Sequence, residues 1–75
     1  MSLEKKEFNS FKELANALSP YISVRALARI CGVSESTMLQ YSSGKRDVSR
    51  QTIELINKKL STFAEELKKF TLKGA

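Results

Sequence analysis

Apolar positions recur at helical spacing in four stretches of the chain, and nothing alternates as a strand would. Phe11, Leu14, Ala15 and Leu18 form one stripe, which predicts a helix over 11–18. Ser10 with Glu13 three residues later fits a capping box, in which the hydroxyl takes an N3 amide and the carboxylate reaches back to the cap amide. Pro20 is expected to end this helix by driving Ser19 out of the α region. Ser23 is the expected N-cap of a second helix, 24–31, with Leu27, Ala28 and Cys31 on one face and Val24 at its edge. Gly32 closes it where a left-handed backbone is cheap only for glycine, and Val33 follows as an apolar plug. Ser34 caps a third helix, 35–42, which buries Met38 and Tyr41 and ends at Ser42-Ser43-Gly44. Lys45, Arg46 and Asp47 form a charged turn. Ser49 caps a fourth helix that starts near Arg50. From there Ile53, Ile56, Leu60, Phe63, Leu67 and Phe70 recur alternately three and four residues apart, an a/d-type seam.

The pattern predicts an all-α fold of four to five helices, the last one unbroken or split in two. It spans residues 10–72, and residues 1–9 form a linker or disordered lead-in. Length agrees: 75 residues make one domain, which buries only about 60% of its unfolded surface and is modestly stable. A hydrophobic content of 41% suffices for one core.

Composition then removes whole classes of function. There is no His, so the commonest general base and metal ligand are missing. Serines are abundant but have no imidazole partner. Ser43-Gly44-Lys45 resembles the end of a phosphate-binding loop, yet Leu39 stands where that motif requires its first Gly. Glu65 and Glu66 are adjacent and point about 100° apart on a helix. No enzyme, metal or cofactor is expected. The single Cys31 leaves no internal disulfide. No apolar run nears the roughly 20 residues of a membrane span, and 1–6 leads into no apolar stretch of a signal peptide. A cytoplasmic protein is the expectation.

Charge adds a direction. Thirteen Lys and Arg against eight Asp and Glu give +5 and an isoelectric point near 9.6, which favours a polyanionic partner, nucleic acid before membrane. Between residues 23 and 50 stand Arg25, Arg29, Lys45, Arg46 and Arg50 against Glu35 and Asp47, so +3 of the +5 is concentrated there.

Residues 24–43 also have the makings of a helix-turn-helix. Ala28 is small where two helices must cross, and Gly32 supplies the positive φ of the turn. The outer face of the third helix carries Ser34, Glu35, Ser36, Thr37 and Gln40. These can enter a major groove about 12 Å wide. Arg25 and Arg29, one turn apart on the outer side of the second helix, and Thr37 are candidate phosphate contacts. Glu35 has two readings: acceptor from cytosine N4, or a solvated acid favoured by the helix N-terminus. Tyr21 is either a core anchor or a phosphate-backbone contact.

The residues Leu27-Ala28, Gly32-Val33-Ser34, Ser36-Thr37-Met38, Tyr41-Ser42-Ser43-Gly44-Lys45-Arg46, Val48-Ser49, Thr52 and Ile56 resemble the lambda-repressor-like, or XRE-type, helix-turn-helix domain over about residues 10–60. More narrowly, Ser19-Pro20-Tyr21-Ile22-Ser23 followed by Arg25-Ala26-Leu27-Ala28-Arg29, with the helical tail to Phe70, resembles the C-terminal helix-turn-helix of HicB-like antitoxins. The resemblance implies base contacts at Glu35, Ser36 and Gln40. It implies phosphate contacts at Ser23, Ser34, Ser43, Lys45 and Arg46. It also implies a bacterial or phage transcriptional repressor, or the DNA-binding part of an antitoxin whose toxin-binding domain would precede this one. Val24 departs from the polar residue that often opens the second helix in that family.

The rival class is a protein-interaction or dimerisation module without DNA binding. RNA is weaker, because no aromatic platform for stacked bases appears. The seam beyond Leu60 outruns what three short helices can cover. It predicts either a homodimer held by Phe63, Leu67 and Phe70 or a tail folded back on Phe8 and Phe11.

Overall fold

A computed structural model of the chain describes residues 7–74, and among them it contains four α-helices and no strand. They are α1 (Phe11–Leu18), α2 (Val24–Cys31), α3 (Glu35–Ser43) and α4 (Arg50–Lys68). The expected lead-in over residues 1–9 lies mostly outside the described residues; Glu7, Phe8 and Asn9 are not helical.

All four helices start at a serine. Ser10, Ser23, Ser34 and Ser49 have extended backbones and accept through Oγ from the amides of Glu13, Ala26, Thr37 and Thr52 at 3.1–3.2 Å. Each such cap satisfies an amide with no partner inside its helix and contributes about 1 kcal/mol. The capping box at α1 is shifted by one residue from expectation. The Glu13 carboxylate accepts from the Asn9 amide at 3.1 Å, not from that of Ser10.

The end of α1 also differs from expectation. Ser19 stays in the right-handed α region, at φ −55° and ψ −32°. Two bonds to the Asn16 carbonyl hold it there, one from its amide at 3.3 Å and one from its hydroxyl at 2.8 Å. Pro20 stops the helix instead through its missing N–H. The next two amides, Tyr21 and Ile22, turn back onto the Leu18 carbonyl at 2.8 and 2.7 Å.

Gly32 (φ +71°) and Gly44 (φ +81°) end α2 and α3 in the left-handed conformation. After Gly44 the amides of Lys45 and Arg46 also turn in toward the Gln40 carbonyl, at 3.0 and 3.3 Å. Ser43 belongs to α3, one residue beyond the expected end.

The core consists of Ala15, Leu27, Ala28, Cys31, Met38, Tyr41 and Ile56, ringed by Phe11, Leu14, Leu18, Ile22, Val24, Val33, Val48 and Leu60. Helix α3 lies against α1 and α2, and α4 lies against α2. Phe11 and Tyr41 meet edge to face with ring centroids 6.0 Å apart. The expected stripes of α1, α2 and α3 are thus the faces that meet.

Helix α4 is unbroken, and it departs from expectation at both ends of its seam. Ile56 is buried and Leu60 and Phe63 are half-buried, but Ile53 is 48% exposed. Ile53 lines an open groove beside Phe8, Phe11, Leu14 and Val48 rather than covering the core. At the other end α4 stops at Lys68. Phe70 therefore lies past the helix, its amide bonded to the Leu67 carbonyl at 3.1 Å. Phe70 and Leu72 are 77% and 97% exposed, so the chain does not fold back onto Phe8 and Phe11.

Candidate nucleic-acid interface

Helix α3 is two-sided. Met38 and Tyr41 point into the core, and Thr37 and Ser42 are half-buried. Glu35, Ser36, Leu39, Gln40 and Ser43 face solvent. The division follows from anchoring: three and four residues apart are one side of a helix, and Met38 and Tyr41 fix which side is down.

The serines and threonine of this region are bonded locally. The Ser34 hydroxyl caps α3 and donates to Thr37 Oγ1 at 2.8 Å. Ser23 caps α2. Ser42 and Ser43 donate back to the carbonyls of Leu39 and Gln40 at 3.0 and 3.2 Å. Ser43 therefore lies along the helix rather than projecting from it.

Glu35 is drawn aside. Its Oε2 lies 3.9 Å from Nε of Arg25, joining the first turns of α2 and α3. Both side chains are half-exposed or more, so the pair adds little stability. It nevertheless removes an uncompensated negative charge from the outer surface of α3. The sequence reading named both residues but not their partnership, because adjacency of two helix starts is a tertiary fact.

Exposed cations stand on α2 and in the turn that follows α3. Arg25 and Arg29 are exposed on α2. Lys45 and Arg46 are exposed in the turn after α3, where the Arg46 guanidinium carbon sits 5.8 Å from the centroid of the Tyr41 ring. Cation–π attraction restrains Arg46 there, a role for Tyr41 that the sequence did not suggest. Tyr21 is 85% exposed, which rules out the core-anchor reading. Phe63, Leu67 and Phe70 lie on and beyond the second half of α4, apart from the polar face of α3, and only Phe63 is partly buried.

Cys31 is packed in the core, where burial pushes its thiol above the ordinary value and the charge of Lys59 on α4 works against that shift. Among the described residues no three His, Cys, Asp or Glu cluster as a metal site would require. None of the described helices is long and apolar enough to cross a membrane. No protein family, curated protein or solved structure matches this chain.

Proposed function

We propose that the chain binds double-stranded DNA sequence-specifically through a lambda-repressor-like helix-turn-helix formed by α2 and α3. In this reading it serves as a transcriptional repressor or as the DNA-binding part of a HicB-like antitoxin. The observation that carries the reading is the outer face of α3, which is free of acid apart from the Arg25-paired Glu35, with Arg25 at its start and the exposed Lys45 and Arg46 in the turn after its end. A surface of that shape and charge suits a major groove lined on both rims by phosphates.

Ser36 and Gln40 meet base edges. Ser23, Arg25, Thr37, Lys45 and Arg46 approach phosphates, whereas Ser34 and Ser43 already donate their hydroxyl protons within the chain. Glu35 orients Arg25 or accepts from a cytosine amine. The exposed apolar end of α4 supports a homodimer through Phe63, Leu67 and Phe70, whose two recognition helices would sit about 34 Å apart on one face of the duplex.

Salt-dependent anisotropy titrations test the reading. Each protomer making about 4 to 6 phosphate contacts gives a log–log salt slope of about −0.9 per contact. Lys45→Ala/Arg46→Ala weakens binding to every duplex and flattens that slope. Gln40→Ala relaxes preference at one base pair per half-site, by about 1–3 kcal/mol, with non-specific binding nearly intact. An unchanged slope in the double variant removes Lys45 and Arg46 from the interface.

A further inference from the structure

We propose that Leu39 is a specificity-determining residue that reads the C5-methyl group of thymine beside the base pair met by Gln40. The inference rests on the duplex-DNA reading above. An isolated exposed leucine is ordinary on a protein surface, and its neighbours are what give this one a role. Ser36, Leu39, Gln40 and Ser43 recur at helical spacing and make up the outward stripe of α3. Ser36 is short. Ser43 folds its hydroxyl back onto the Gln40 carbonyl at 3.2 Å. Glu35, at the start of the helix, is turned toward Arg25. The two side chains left to project from the middle of the face are therefore Leu39, 50% exposed, and Gln40.

Gln40 carries an amide, which matches the hydrogen-bonding edge of adenine. Leu39 has nothing to offer a donor or acceptor. Of the groups that base pairs display in the major groove, the thymine methyl is the apolar one. Met38 anchors the helix from below at 0% exposure, so the Leu39 backbone is fixed and its side chain is held toward whatever lies over α3. Leucine against methyl removes apolar surface of both from water.

The test is methyl deletion on the DNA. The preferred duplex is selected from a random pool with the wild-type chain, and each thymine is then replaced singly by deoxyuridine, which keeps the hydrogen-bond pattern and loses only the methyl. At one or two positions per half-site affinity should fall about fourfold, the effect of one buried methyl group. In Leu39→Ala those same positions should show no difference between thymine and deoxyuridine. A thermal melt confirms that this exposed substitution leaves the fold intact. Uniform tolerance of deoxyuridine by the wild type overturns the role of Leu39 and leaves the DNA reading standing. So does a methyl effect that persists in Leu39→Ala. Failure to enrich any duplex overturns both.

Discussion

Helix α2 and the last two turns of α4 carry the same kind of apolar stripe and meet opposite fates. Leu27, Ala28 and Cys31 on α2 are 0–2% exposed, because α3 and α4 close over them. Leu67 on α4 follows the same spacing and is 54% exposed. Periodicity states which residues share a face; it does not state what covers that face. A stripe closed within its own chain contributes to the stability of the monomer, and one left open contributes only when a partner arrives. The two ends of the molecule should therefore respond to substitution in different measurements.

The largest effect is expected at Leu27→Ala, which removes a fully buried side chain and leaves a cavity between α2, α3 and α4. Such losses amount to about 2–5 kcal/mol, against a total of about 4–11 kcal/mol for a domain of this length. Urea denaturation should show a large fall in midpoint or outright unfolding at room temperature. A change below about 1 kcal/mol would mean that the α2 stripe is as dispensable as the α4 one.

Phe63→Ala/Leu67→Ala sharpens the other side of the comparison. In dilute solution this variant should melt close to the wild type, since Leu67 is uncovered and Phe63 only partly covered. At high micromolar concentration the wild type should sediment as a dimer and the variant as a monomer. A wild type that stays monomeric throughout that range would break the comparison, leaving the open stripe without a partner of its own kind.

Gly32→Ala isolates the turn between the two best-covered helices. Nothing lies within 4 Å of the position a Cβ would take there, and the backbone φ is +71°. The cost is then conformational alone, about 1–2 kcal/mol for a left-handed alanine. It should appear in denaturation midpoints at every protein concentration, unlike the α4 variant. A loss well beyond that range would reveal a steric demand that the open space around Gly32 does not predict.

What the sequence made legible follows the same division. The serine caps, the glycine stops and the buried faces of α1 to α3 are set by local chemistry and by one period, and they stand where the spacing put them. Ser19 departs from expectation because two bonds to Asn16 outweigh the preference that a following proline imposes. Ile53 and Phe70 depart from the seam because a period along one helix carries no information about where its neighbours end. On the candidate interface the outward side of α3 was legible from Met38 and Tyr41. The aiming of Glu35 at Arg25 and of Arg46 over Tyr41 was not, since each joins residues of separate segments through packed geometry.

The smallest expected effect probes the closed stripe from within. Cys31 is buried among apolar neighbours, and this burial holds its thiol above the ordinary value despite the opposing charge of Lys59. A thiol whose pKa is higher in the folded than in the unfolded state favours the fold while it remains protonated. Its contribution is therefore complete below about pH 9, the unfolded thiol's value, and fades as pH rises from there through the folded value. Stability of the wild type should fall more steeply above that pH than stability of Cys31→Ala, with parallel curves below it. Alanine shifts the whole curve by its missing sulfur but cannot bend it, so the slope, not the level, reports the thiol. Equal slopes on both sides of pH 9 would show that water reaches Cys31 and that the α2 stripe is less tightly closed than its neighbours indicate.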